Sequence, residues 1–254
     1  MKSLAKLFAT VEITVLTAVS AFAQTAPAPS TETLPNCDAT TSLAAVAPAA
    51  TLATVQSPQF VVGDCWKYRA QDIGNGAAPT WHINIVRSVA DNEVLIEGRS
   101  QNQARFWWVY EPQSAKWLTR FSYDEGAPDR RGRKTADLSA NDPSIRFPLT
   151  IGANWTVNEK FEGRRVIEND MKAVVSAVER ITTPAGEFDT FRITYEGRWN
   201  NRTEGGSGRR LETYWYSPLA KRYVKREGKT WVNKGGPMVW DQWVEELIEI
   251  GKGK

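Results

Sequence analysis

The stretch EFDTFRITYEGRW, residues 187–199, decides the fold class of this chain. Its side chains alternate in character from one residue to the next. One side carries Phe191, Ile193, Tyr195, Gly197 and Trp199, and the other carries Arg192, Thr194, Glu196 and Arg198. A period of two residues is typical of a β-strand. The pattern therefore predicts an antiparallel sheet with one apolar face and one polar face.

Segments of the same kind recur along the chain and are separated by Gly, Pro, Asn and Asp clusters. All eleven Trp lie beyond Phe60, and aromatic and β-branched residues favour strands. We predict further strands at 65–71, 81–89, 93–99, 105–111, 116–123, 155–162, 171–183, 210–217 and 221–227. The sequence TPAG at 183–186 predicts a hairpin turn, because Pro184 presets φ and Gly186 tolerates a left-handed backbone.

Short motifs occur twice in the same order, which predicts an internal repeat. The matched pairs are 63–66 with 152–155 (G-x-x-W), 97–99 with 196–198 (EGR), and 107–112 with 214–218 (an aromatic strand ending in Pro). We therefore expect an all-β fold in which antiparallel strands form two repeated halves, about 60–123 and 147–227. The halves would form a curved sheet, a two-sheet sandwich or an open barrel, with little helix.

Two segments fall outside these halves. Residues 124–146 join them, and the basic, Gly-containing run at 129–134 predicts a solvated surface loop. The C-terminal stretch 239–250 has apolar residues at helical spacing but a composition that also suits a strand, so periodicity leaves both open.

The N-terminal region predicts export. Lys2 and Lys6 precede an apolar run that ends in Ala21-Phe22-Ala23, which is the pattern of a signal peptide spanning residues 1–23, cleaved near Ala23. Residues 24–57 are rich in Ala, Thr and Pro and predict a disordered tail ahead of a β domain at 58–254. We expect a periplasmic or secreted protein that is not an integral membrane protein.

Cys37 and Cys65 are the two cysteines of the chain. An oxidising compartment permits a disulfide between them, which we favour over two unpaired thiols. With these two cysteines and the single histidine, His82, no zinc-ligand spacing is present, and we expect no metal and no cofactor. The 32 basic and 29 acidic residues nearly balance, which argues against a nucleic-acid partner.

Motifs for catalysis are scarce. The chain has no G-x-S-x-G, P-loop or G-x-G-x-x-G motif, and we interpret His82 as a hydrogen-bonded histidine of a strand. Glu97 and Glu196 occupy equivalent repeat positions and would form an acid–base pair if the halves met about a twofold axis. A Glu beside an Arg on a strand is more often a cross-strand surface pair. We therefore expect no catalytic residues, and a glycosidase-like enzyme ranks last among the hypotheses.

Aromatic side chains favour ligand binding. Trp107 and Trp108 are consecutive on a strand, so one of them faces away from the apolar layer. The candidate ligand-binding residues are Trp107, Trp108, Tyr110, Trp215 and Tyr216, with Arg99 and Arg198 at the rim. The leading hypothesis is a non-enzymatic protein whose aromatic sheet surface binds an apolar or amphipathic small molecule, such as a lipid, or an envelope protein. The alternatives are a glycan or peptidoglycan binder and a structural assembly module.

The second half also resembles a known family. The motif G-x-x-W at 152–155, the segment PAGEFDTFRI at 184–193 and the segment TYWYSP at 213–218 are similar to uncharacterised exported bacterial β proteins of the DUF3108-like type. The resemblance covers about 147–250 and implies that 239–250 is a strand. It implies no catalytic residues, and the first half lacks the Pro-Ala-Gly turn.

Overall fold

The computed structural model describes residues 37–38, 53–74, 76–102, 104–112, 114, 116–140, 145–233 and 237–253. The predicted signal peptide and most of the predicted tail lie outside these residues. The described part of the chain contains no helix, and thus none that is long and apolar enough to cross a membrane.

Twelve antiparallel strands make up the described domain. They are β1 (Asp64–Asp72), β2 (Thr80–Val89), β3 (Val94–Ser100), β4 (Arg105–Tyr110), β5 (Trp117–Tyr123), β6 (Arg131–Ala140), β7 (Asn154–Glu162), β8 (Val166–Thr183), β9 (Gly186–Asn201), β10 (Ser207–Ser217), β11 (Arg222–Asn233) and β12 (Pro237–Lys252). The ten predicted strands all lie at observed strands, and the predicted turn joins β8 to β9 with Gly186 at a φ of 131°.

Each strand pairs with its neighbours in sequence, and β1 pairs with β12, so the sheet closes into a barrel. The expected curved sheet, two-sheet sandwich or open barrel is therefore wrong. Two segments account for the difference. Residues 239–250 form most of β12, which pairs with both β11 and β1. Backbone hydrogen bonds with two neighbours leave no free sheet edge there.

The segment that joins the two halves also differs from expectation. Part of the run predicted as a surface loop begins β6, which pairs with β5 and β7. Gly132 and its charged neighbours gave no strand signal, because the hydrogen bonds of a sheet are made by the backbone and do not require apolar side chains. β6 makes the two halves continuous, so they form one wall instead of two facing sheets.

A barrel of twelve strands has a wide lumen. About eight strands give an interior that ordinary side chains just fill, so a larger barrel needs bulky side chains or retains a cavity. Two hydrophobic clusters occupy this interior. One contains Trp66, Tyr68 and Ile96, and the other contains Trp155 and Tyr195.

The two G-x-x-W motifs adopt the same local geometry. Gly63 has a φ of 89° and donates its N–H to the Val86 carbonyl, and Gly152 has a φ of 83° and donates to the Val175 carbonyl. Positive φ favours glycine at both positions. In each case the accepting strand has a register shift immediately after the accepting residue. The internal duplication itself stays a prediction.

A disulfide joins Cys37 to Cys65, the pairing that the sequence favours. Cys37 is buried against Cys65, Ile83 and Ile85, and the adjacent Asp38 exchanges two backbone hydrogen bonds with Lys252. The disulfide thus holds one point of the N-terminal segment beside the β1–β12 seam, where the barrel closes.

Reduction of this disulfide should destabilise the barrel. Opening the crosslink increases the entropy of the unfolded chain, and we expect a loss of about 2–4 kcal/mol, measured as a lower melting temperature in dithiothreitol. The matched control is the Cys37→Ser/Cys65→Ala variant, which should melt low with or without reductant. A melting temperature of the unaltered protein that does not respond to reductant would contradict this role.

The repeated EGR motif places a glycine where a side chain would collide. A Cβ at Gly197 would overlap the backbone carbonyl oxygen of Asp170, and one at Gly98 would overlap the ring of Phe106. We expect Gly197→Ala to cost roughly 1–3 kcal/mol of unfolding free energy, because backbone cannot move aside as a ring can. Gly98→Ala should cost less, and Gly126→Ala, whose Cβ would have space, should cost least. Equal losses in denaturant titrations would refute this order.

Candidate binding site in the barrel lumen

The structure separates the predicted aromatic residues by strand face. Trp108 and Tyr110 on β4 and Tyr216 on β10 line a lumen cavity of about 490 Å³. Trp107, between the two β4 residues, lies on the opposite face, packs against Leu95 and Val109, and donates its indole N–H to the Arg130 carbonyl at 2.7 Å. The alternation of β4 thus sends one tryptophan of the pair into the lumen and the other to the outer wall.

Trp215 also lies away from the cavity. Its indole N–H donates to Glu179 Oε1 at 2.6 Å, and Lys225 lies over its ring. The side chain is buried at 8% exposure. Trp215 therefore anchors β10 to β8 and packs in the hydrophobic cluster that contains Trp66, but it does not line this cavity.

Neither predicted rim arginine lines this cavity. Arg99 binds Glu97 at 2.7 Å together with Arg87 and Arg105. The partner of Glu97 across the β3–β4 ladder is Trp107, which places this ion cluster on the outer face. Arg198 is exposed on β9 beside a separate surface depression. Neither arginine is therefore close enough to this cavity to form its lining.

Aromatic side chains make up about half of the lining of the cavity. They come from strands on both halves of the barrel: Phe106, Trp108, Tyr110, Trp117, Tyr214, Tyr216 and Tyr223, with Phe60 from the segment before β1. The rings pack in contact with one another, for example Trp108 edge-on to Trp117 at 5.0 Å between centroids. Their edge-to-face and tilted contacts brace the wall, because such arrangements stabilise aromatic pairs.

A second cavity of about 500 Å³ lies beside the first. Trp117, Tyr214 and Arg226 line both cavities, which makes these three side chains the partition between them. The second cavity is more polar, since Arg210 and Glu212 form an ion pair at 2.6 Å on its wall. The lumen thus has an aromatic compartment and a charged compartment.

A buried ion cluster stands at the edge of the aromatic compartment. Glu245 on β12 binds Arg226 of β11, and His82 Nε2 lies 2.8 Å from its other oxygen. Burial by itself would raise the pKa of Glu245, but Arg226 and His82 outweigh that effect and lower the pKa to about 2. Glu245 is therefore ionised at neutral pH. His82, which lies on β2, also stacks on Tyr68. Its contacts with Glu245 and Tyr68 favour a structural role for this histidine.

Arg222 and Arg226 are lumen residues that the sequence did not reveal. Both were expected in the basic strand 221–227, where arginines usually face solvent. A register shift between Trp215 and Tyr216 in the β10–β11 ladder sets Arg222 opposite Ser217 and Arg226 opposite Tyr214. The even spacing of the two arginines in the sequence therefore does not predict that both line the lumen.

No protein-family model and no curated protein matches the chain, so the resemblance to the DUF3108-like type is not confirmed.

Three bacterial crystal structures resemble the chain. A candidate lipoprotein from Parabacteroides distasonis is 16% identical over 78% of this chain and 99% of its own, with a TM-score of 0.44. A candidate exported protein with a YmcC-like fold from Bacteroides fragilis is 13% identical over 78% and 100%, with a TM-score of 0.46. The hypothetical lipoprotein YmcC of Escherichia coli is 10% identical over 73% and 84%, with a TM-score of 0.38. With TM-scores this low, nothing about the function of this chain follows from the likeness.

Proposed function

We propose that this chain is an exported, non-enzymatic binding protein that encloses an apolar or amphipathic small molecule in its barrel. The observation that carries the proposal is the aromatic compartment of about 490 Å³, which opens between rings from β4, β5, β10 and β11. Pockets of roughly 300–1,000 Å³ lined by apolar and aromatic side chains with a few polar groups are typical of small-molecule sites. In this proposal, the aromatic sheet surface that the sequence predicts to bind a ligand faces the inside of the barrel.

The position of the tryptophans favours an enclosed apolar ligand over a glycan. A glycan platform needs exposed rings, yet Trp107 and Trp215 are buried and Trp108 lines the lumen. Among the described side chains, the exposed large hydrophobic residues include no tryptophan. These tryptophan side chains are therefore better placed to surround a ligand within a concave wall than to stack on sugars along an exposed surface.

Export is supported by two independent features. The N-terminal sequence has the pattern of a signal peptide, and the Cys37–Cys65 disulfide is of a kind that persists in oxidising compartments. We accordingly propose a periplasmic or secreted location, with the β domain delivered after cleavage near Ala23.

The two candidate catalytic glutamates lack the geometry of an acid–base pair. Glu97 lies on β3 and Glu196 on β9, and these strands are not neighbours in the barrel. Both oxygens of Glu97 accept hydrogen bonds from arginines, and Glu196 pairs with Arg209 at the surface. Burial would raise the pKa of Glu97, but Arg99, Arg105 and Arg87 lower it to about 2. Such a carboxylate has no proton to donate at neutral pH, which favours a structural role.

Binding of the neutral dye N-phenylnaphthylamine tests the proposed site. We expect saturable binding with a blue-shifted, enhanced emission, because the dye leaves water for an apolar lumen. Trp108→Ala should weaken binding roughly twofold to tenfold, since it removes one ring contact worth about 0.5–1.5 kcal/mol.

Trp107→Ala is the matched control, because the neighbouring ring lies on the outer face. Its affinity for the dye should equal that of the unaltered protein at a temperature where both variants are folded. Absence of saturable binding, or an equal loss in both variants, would contradict the lumen site and favour a structural assembly module.

Acid titration tests the structural role of Glu97. Its pKa in the folded state is about 2, below the usual 4.5 of an unfolded glutamate, so its stabilisation is complete above pH 4.5 and disappears as the pH falls to 2. Glu97→Gln should lower the free energy of unfolding at pH 7 by on the order of 2–3 kcal/mol and flatten its decline in acid.

The repeat supplies the control, Glu196→Gln, in which an exposed glutamate is replaced at the equivalent motif position. Its unfolding curve should stay close to that of the unaltered protein, because exposed ion pairs contribute little. If urea titrations showed the same loss of unfolding free energy for both substitutions, burial of Glu97 among arginines would not be the source of its stabilising effect.

A further inference from the structure

Arg222 occupies an unusual position at the start of β11. Its guanidinium carbon lies 5.0 Å from the ring centroid of Trp66, 5.9 Å from that of Tyr68, 5.8 Å from that of Tyr110 and 5.5 Å from that of Tyr223. The side chain lines the aromatic compartment. A cation is therefore held among four aromatic rings at the wall of this cavity.

The hydrogen-bonding groups of Arg222 are poorly matched. Its Nη2 donates to the Tyr110 hydroxyl at 3.4 Å, which is a long contact, and its Nη1 is buried with no partner among the described residues. A guanidinium has five N–H donors and remains charged in proteins. Arg222 thus has donor capacity that the described protein groups leave unused.

The neighbouring cations of the compartment have carboxylate partners. Arg226 binds Glu245, and Lys221 Nζ lies 2.7 Å from Asp64. Glu245, the carboxylate that acts on Arg222 through space, is already held by Arg226 and His82. Among the arginines and lysines that the structure shows lining this compartment, Arg222 is consequently the one without a carboxylate at ion-pair distance.

The surrounding tyrosines do not supply the missing negative charge. Burial raises the pKa of Tyr68 well above its usual value and raises that of Tyr223 to about 12. Both hydroxyls therefore stay neutral at physiological pH. Their rings interact with the guanidinium only through the quadrupole, which is a weaker contribution than an anion would make at the same place.

We propose that Arg222 receives the anionic head group, a carboxylate or a phosphate, of an amphiphile whose apolar chain lies along the aromatic wall. A planar guanidinium matches two oxygens of either group and forms short, charge-assisted hydrogen bonds with them. The inference rests on the proposed lumen site and adds the charge class of the ligand. It also accounts for a cation that four rings surround without a carboxylate.

Calorimetric titration with four probes tests this assignment at neutral pH. Decanoate carries the chain and the charge, decanol carries the chain alone, and acetate carries the charge alone. We expect decanoate to bind roughly tenfold to a hundredfold more tightly than decanol, as hydrogen bonds to a charged group imply, and acetate not to bind measurably. Decyl phosphate should bind like decanoate if charge is what Arg222 recognises.

Substitutions at Arg222 locate the effect. Arg222→Gln should bring the affinities for decanoate and decanol to the same level, and the melting temperature of the variant shows whether the barrel is intact. Arg222→Lys should restore part of the preference, because it keeps the charge and loses the two-pronged geometry. Lys225→Gln is the matched control, since this nearby cation of β11 lies over Trp215 instead of the cavity.

The outcomes separate this inference from the function on which it rests. Saturable dye binding with equal affinities for decanoate and decanol would overturn the role of Arg222 and leave the lumen site standing. Binding of neither the dye nor decanoate would overturn both. Binding of acetate as tight as that of decanoate would replace the amphiphile by a simple anion, and unchanged selectivity in Arg222→Gln would assign the charge recognition to another group.

Discussion

The pairing of β1 with β12 is the constraint on which the rest of the structure depends. The ladder runs from Asp64↔Lys252 to Asp72↔Trp243 and turns a meander of twelve strands into a closed wall. Closure removes both sheet edges, which would otherwise expose unpaired backbone groups. It also divides every strand into a lumen face and an outer face. The disulfide at Cys65 and the bridge at Asp38 lie on this same seam.

Closure at this strand number explains the aromatic composition. Twelve strands surround more space than ordinary side chains fill, and this chain meets the demand with Trp, Tyr and Phe that brace one another across the lumen. The remaining volume is divided by Trp117, Tyr214 and Arg226 into an aromatic compartment and a charged one. Buried charges are tolerated there because most are paired, as Glu245 is with Arg226 and His82. Arg222 departs from that rule, and this departure is the basis for the proposed head-group position.

Local chemistry made much of the wall predictable. Alternation identified β9, the Pro-Ala-Gly turn located the β8–β9 hairpin, and the consecutive Trp107 and Trp108 had to face opposite sides. β6 was missed because a polar, Gly-containing segment can join a sheet through its backbone alone. The site was predictable in part: Trp108, Tyr110 and Tyr216 line the cavity, while Arg222 and Glu245 gave no signal, since charged residues on a strand ordinarily face water.

By itself, the sequence determined ten of the twelve strands, their two faces and the two cysteines that pair. These properties follow from periodicity and residue type, which act over a few neighbouring residues. Only the tertiary structure decided which face is the lumen, because that depends on hydrogen bonds between β1 and β12, some 180 residues apart in the chain. The same closure sent Trp108 inward and Trp107 outward, and it placed Arg222 among rings contributed by β1, β4 and β11. A local pattern carries no information about a partner so distant in sequence.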